Sequence, residues 1–124
     1  MVKFYYCKKC GNIVESINDK CNPVCCGEPM SVLNPNTVDA AKEKHVPDVK
    51  VSGSEVVVNV GSVAHPMTEE HLIQWVVLET SMGVKRNTLK AGEAPSVRFA
   101  LAEGEKALAV YAYCNLHGLW MTSL

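Results

Sequence analysis

Five of the six cysteines, Cys7, Cys10, Cys21, Cys25 and Cys26, fall before residue 27. The apolar residues among them are few: Phe4, Ile13, Val14, Ile17 and Val24 are scattered between turn formers. A piece this short cannot bury a sufficient core, because below about 40 residues a fold usually needs a staple. Four thiolates on one metal ion would supply it. Disulfides are the alternative staple, but the N-terminus has no signal-peptide core, and Cys-x-x-Cys without export reads as metal ligation. Cys7-Lys8-Lys9-Cys10-Gly11 is a tight metal-binding turn whose glycine relieves the backbone after the second ligand. Its partner is Cys25-Cys26-Gly27. Neighbouring residues of an extended chain point opposite ways, so two adjacent ligands require a distorted turn, which Gly27 permits. A tetrahedral all-sulfur site takes zinc or iron, and spacing does not separate them. Cys21 is a fifth thiol that could replace Cys25, stay free or oxidise; the vicinal pair before glycine selects Cys25 and Cys26.

The turn-forming cluster Asn34-Pro35-Asn36 ends this piece and divides the chain into 1–36 and 37–124. Thr37 can cap a short helical turn through Lys42, with Asp39 near its positive end. Pro47 biases Val46 towards an extended conformation, placing His45 where turn gives way to strand. Short β-branched runs follow at Val49 to Val51 and Glu55 to Val60, joined through Ser52-Gly53-Ser54 as a hairpin. Further strands are expected at His71 to Leu78, Val84 to Leu89, Ser96 to Ala102 and Lys106 to Cys114. On a regular strand, Ile73, Trp75 and Val77 share the face of His71, and Leu108, Val110, Ala112 and Cys114 share another. Regularly spaced strands with turns between them make the fold class mainly β, a small metal module followed by a β-sandwich.

All four histidines lie in this second part, at 45, 65, 71 and 117, and the sixth cysteine is Cys114. Cys114-Asn115-Leu116-His117-Gly118 puts a thiolate and an imidazole three positions apart before a glycine. Each residue alone has an ordinary explanation: a core histidine, a surface ion pair with Glu43, an inert buried thiol. If the other three histidines converge on the Cys114/His117 pair, the result is a metal site of four nitrogens and one sulfur. Structural zinc closes at four ligands. Five soft-to-borderline ligands indicate a redox metal with one free position, and iron is the first candidate.

A formal charge of −1 and a pI near 6.4 argue against nucleic-acid binding, which shows as a basic patch. No apolar run reaches the roughly 18 to 20 residues of a membrane helix. The expectation is a cytoplasmic protein that binds neither nucleic acid nor membrane.

The segments Cys7-x-x-Cys10-Gly11, Cys25-Cys26-Gly27-Glu28-Pro29-Met30, Asn36-Thr37-Val38-Asp39-Ala40-Ala41, Glu43-Lys44-His45-Val46-Pro47, His65-Pro66-Met67, Glu70-His71 and Cys114-Asn115-Leu116-His117-Gly118 resemble, in order, those of desulfoferrodoxin, the two-iron form of superoxide reductase. The resemblance covers nearly the whole chain; Cys21 lies outside its pattern. It implies a desulforedoxin-like (rubredoxin-type) module over 1–36, with one iron on Cys7, Cys10, Cys25 and Cys26. It also implies an immunoglobulin-like sandwich over 37–124, with a second, ferrous iron in a square pyramid. His45, His65, His71 and His117 would be equatorial and Cys114 axial, opposite the open position. The implied reaction is one-electron reduction of superoxide to hydrogen peroxide without dioxygen release, fed by a rubredoxin-like donor. Family members are typically homodimers. Lys44 is then the steering charge, and Glu43 resembles the glutamate that takes the sixth position once the iron is ferric. Trp75, Trp120, Tyr113 and the methionines read as packing groups. From the residues alone two rivals stand: a zinc-ribbon interaction module with structural histidines, and an electron carrier with no substrate site.

Overall fold

The computed structural model describes residues 2–124, which form two compact units, one ending at Asn34 and the other Pro35–Leu124. In the first, β1 (Lys3–Tyr6) lies between β2 (Ile13–Ser16) and β5 (Ser31–Val32), both antiparallel to it. A two-residue ladder, β3 (Val24–Cys25) with β4 (Glu28–Pro29), carries the second cysteine pair. A small buried cluster here comprises Tyr5, Cys7 and Met30, with Val14 and Cys25 against it, and Phe4 is buried as well. Asp19 ties the long connection back to β1, accepting from the Tyr5 hydroxyl at 2.8 Å and from Lys3 Nζ at 3.0 Å.

The second unit is the antiparallel sandwich expected for an immunoglobulin-like fold. Its first sheet has β7 (Glu55–Val60) between β6 (Pro47–Ser52) and β10 (Ser96–Ala100). Its second sheet runs in the order β12 (Gly118–Ser123), β11 (Ala107–Cys114), β8 (Ile73–Thr80), β9 (Gly83–Thr88). Alternation on β7 sends Val56, Val58 and Val60 inward while Glu55 and Asn59 stay exposed. Those valines meet Val97 and Phe99 of β10, Val76 and Leu78 of β8, and Val110, Ala112 and Cys114 of β11 in one apolar core. Fully burying a Val or Leu side chain is favourable by roughly 1.5–3 kcal/mol, so this unit stands on its core. No helix of the described residues is long and apolar enough to cross a membrane.

Four local expectations are corrected. The helical turn is α1 (Lys42–His45), not Thr37 to Lys42. Asn36 is locked beside β12: its N–H donates to Leu119 O, its side-chain amide donates to Met121 O, and Met121 N–H donates back to its Oδ1. The chain therefore runs along the sheet before it can coil. A further strand follows Cys114, where the sequence pattern indicates none: β12 pairs with β11 from Cys114↔Gly118 to Ala109↔Ser123. His71 precedes β8 and does not open it, because Thr68 holds it in a turn, its hydroxyl taking the His71 N–H at 3.1 Å. Finally, register shifts between Ala107 and Ala109 and between Tyr113 and Cys114 break the alternation. Leu108 is left exposed, and Ile73 joins Val76 and Leu78 in the core rather than the face of Trp75 and Val77. A shift of one residue turns a side chain to the other face.

Candidate metal centres

The four cysteines Cys7, Cys10, Cys25 and Cys26 bring their sulfurs together, all within 4.8 Å of one another. Cys10 Sγ is 3.6 Å from Cys25 Sγ, and Cys25 Sγ is 3.9 Å from Cys26 Sγ. Sulfurs held tetrahedrally at about 2.3 Å from one ion lie about 3.8 Å apart. The adjacent pair reaches one point because Cys26 takes a left-handed φ of 53° and Gly27 one of 77°. Cys10 N–H points at Cys7 Sγ at 3.5 Å, and this backbone donor draws the Cys7 thiol down to about 6. Cys26, hydrogen-bonded to Cys10 and beside the other thiols, is pushed up to about 12. Four thiolates cannot share this space unless a cation does too. Cys21 is exposed and outside the group.

The second group collects at one end of the sandwich core. Ligand atoms of His45, His65, His71 and Cys114 lie within 4.8 Å of one another. His117 joins through Nδ1, 3.2 Å from His45 Nε2 and 3.8 Å from Cys114 Sγ. Ring centroids give the cyclic order. His45–His65 and His65–His71 are 4.6 Å apart, His71–His117 5.1 Å and His45–His117 4.9 Å, whereas His45–His71 is 6.3 Å. The imidazoles thus form a square with His45 opposite His71. Four nitrogens about 2.1 Å from a common centre would stand about 3.0 Å apart along each edge. The observed edges include 3.1 Å, His65 Nε2 to His45 Nε2, and 3.2 Å.

The protonation pattern is set from outside the square. His45 Nδ1 is 2.7 Å from Ala41 O, and His65 Nδ1 is 2.7 Å from Pro66 O. A carbonyl only accepts, so both Nδ1 atoms carry the proton and both Nε2 atoms present lone pairs. Two lone pairs facing at 3.1 Å repel unless a cation lies beside both, which is the usual arrangement around a ligating histidine. His71 Nε2 is buried with no hydrogen-bond partner. Burial keeps these rings neutral: it lowers His65 to about 4 and also lowers His45 and His71. Burial raises the Cys114 thiol, and the Leu116 and His117 backbone N–H groups oppose that by hydrogen bonding. A bound cation would reverse the balance and deprotonate the thiol.

Residues that spacing did not reveal hold this set in place. Asn115 Oδ1 accepts from Leu72 N–H at 3.0 Å and its amide donates to Glu70 O at 2.9 Å, joining the Cys114/His117 turn to the approach of His71. Trp120, fully buried, stacks on His45 at 4.9 Å between centroids and donates Nε1–H to His117 O at 3.1 Å. Their signal, a polar residue between two ligands and a tryptophan just past them, is too general to be read alone. Glu43 and Lys44 sit on α1, both exposed. Their charges reach the square: Lys44 adds to the lowering of His71, and Glu43 acts weakly in the opposite sense on His45. Both lie on the helical turn that ends at His45.

The desulfoferrodoxin family profile matches residues 37–123. The chain is 50% identical over 120 residues to desulfoferrodoxin from Syntrophotalea carbinolica, covering 96% of this chain and 94% of that one. It is 46% identical over 120 residues to desulfoferrodoxin from Desulfarculus baarsii, covering 96% and 94%. The crystal structure of the superoxide reductase from Treponema pallidum superposes with a TM-score of 0.84 at 41% identity, over 99% of each chain.

Proposed function

The chain belongs to the desulfoferrodoxin family, and from that premise we propose that it is a superoxide reductase with two iron ions per chain. Cys7, Cys10, Cys25 and Cys26 hold one iron; His45, His65, His71, His117 and Cys114 hold the other. The observation that carries the reading is the pair of inward lone pairs on His45 and His65, 3.1 Å apart, with both outer nitrogens committed to carbonyls. A ferrous ion bound by these residues would supply the single electron that, with two protons, converts superoxide to hydrogen peroxide.

The chain's own residues make that possible. Four neutral imidazoles and one thiolate contribute a single negative charge, so the centre keeps a positive field that draws in a small anion. Cys114, fully buried and supported by two N–H groups, directs electron density towards the metal, as thiolate does in haem enzymes. Lys44 Nζ steers the incoming anion and offers a hydrogen bond that polarises the proton source. Glu43, exposed on α1 beside His45, would offer its carboxylate to the second centre once the iron is ferric. Residues 1–36 act as the rubredoxin-type module and 37–124 as the reductase domain.

Electrons come from a rubredoxin-like protein, the working form is a homodimer, and the compartment is the cytoplasm. Mixing anaerobically reduced protein with superoxide tests the reaction. One ferrous ion should be oxidised per superoxide, with peroxide formed and no dioxygen. Release of one dioxygen for every two superoxide would mean dismutation and would overturn the proposal.

A further inference from the structure

We propose that the turn Gly61–Val63 positions the segment bearing Glu43, Lys44 and His45, and that Gly61 is a positioning residue of the second centre because no side chain fits there. This rests on the reading of those three residues given above.

The segment cannot hold itself. α1 has four residues, Ala41 at its start offers no side-chain cap, and its local bonds include Val46 N–H to Lys42 O at 2.9 Å, Lys44 N–H to Ala41 O at 3.2 Å and His45 Nδ1–H to Ala41 O at 2.7 Å. A helix of one turn is far below the length at which it persists alone. It is held from beneath. Glu43 O accepts the Val63 N–H at 2.8 Å and the Ser62 hydroxyl at 3.3 Å.

Gly61 lies directly against the main chain of the α1 segment. A Cβ there would lie 2.7 Å from Glu43 O, 2.8 Å from Val46 O and 3.1 Å from Lys44 C. All three are main-chain atoms, so no flexible side chain can swing aside. Gly61 is not among the glycines with positive φ; space rather than backbone conformation demands glycine here. The same turn also governs a second ligand, since His65 N–H donates to Val60 O at 2.9 Å. Val60 is fully buried at the end of β7, and its N–H is anchored on Pro95 O at 2.8 Å. One rigid strand end therefore sets both His45 and His65, the pair whose Nε2 atoms stand 3.1 Å apart.

Gly61→Ala must push the Glu43–Val46 main chain outward, spreading His45 from His65 and moving Lys44. The iron-loaded full-length protein is challenged with a chelator, and iron release from the second centre is followed by its visible spectrum. Gly61→Ala should release that iron about tenfold faster or more, while the Cys₄ iron stays. Its superoxide rate should fall about tenfold or more and depend less on ionic strength. Gly83→Ala is the control for general destabilisation: Gly83 has φ +133° and open space around its Cβ position. It should lose stability yet release iron at the wild-type rate. Wild-type release by Gly61→Ala, or equally fast release by Gly83→Ala, overturns the proposal. Should Gly61→Ala not fold, Ser62→Ala decides. Removing one bond to Glu43 O should speed release severalfold, and an unchanged rate overturns the proposal. Wild-type protein that holds no iron at the second centre would instead defeat the functional reading.

Discussion

The two metal centres solve opposite folding problems. In the N-terminal unit the interior is small: Tyr5, Cys7 and Met30 form a buried cluster, and of the four ligands only Cys7 is buried, with Cys10 and Cys26 exposed. In the sandwich the ligands sit at the end of a core that exists without them, with Val56, Val58, Val76, Leu78 and Val110 fully buried. Metal in the first unit is therefore part of the folding free energy. In the second it is a guest in a site already shaped by carbonyls, Asn115 and Trp120. The fold thus depends on the two ions to different degrees, and the size of the surrounding core sets how much.

Cys26→Ser should show the largest effect. The Cys₄ iron is lost and residues 2–34 lose protection in hydrogen exchange, while the sandwich keeps its protection and its own iron. Protection retained across β1, β2 and β5 would break the comparison. Next comes Cys114→Ala. Iron should fall from two to one per chain and superoxide reduction should vanish. The sandwich should still unfold cooperatively, losing only on the order of 1–3 kcal/mol, because a small buried group is removed from a large core. Collapse of the whole unit would mean that this metal, too, holds the fold.

Lys44→Ala should be smaller again. The rate with superoxide should drop about tenfold at low ionic strength and converge with wild type at high salt. A parallel salt dependence would remove Lys44 from steering. The smallest effect tests the core away from either metal. Glu105 accepts from Thr80 Oγ1 at 2.5 Å, from Ala102 N–H at 2.8 Å and from Lys85 Nζ at 2.9 Å. These partners, the Thr80 bond first, hold its carboxyl near 2 against an ordinary 4.5. A depressed acid stabilises the folded state fully above its unfolded value, and that contribution is lost as pH falls from about 4.5 towards 2. Urea stability of wild type should therefore decline through that window. Glu105→Gln should be less stable at neutral pH and flatter below it; equal slopes would assign the acid loss elsewhere.

The ligands were legible because their chemistry is carried by residue type: thiols and imidazoles keep their meaning whatever the fold. The β-class was legible from the valine runs. What stayed hidden depends on contacts between residues remote in sequence. Asn36 locks to Met121, which displaced the helical turn and hid β12. Two register shifts turned Leu108 outward and Ile73 inward against the alternation. Gly61 looked like an ordinary turn glycine, since the backbone it must clear belongs to residues 43–46. The order of the imidazoles, and the use of Nδ1 by His117 alone, follow from the β11–β12 turn and no spacing encodes them.

The most direct test is a crystal structure of the reduced, iron-loaded protein with anomalous scattering recorded at the iron edge. Two peaks per chain are expected, one among the four N-terminal sulfurs and one bonded to Nε2 of His45, His65 and His71, Nδ1 of His117 and Sγ of Cys114. A single peak, or a second one from which any of those imidazoles is turned away, would contradict the account.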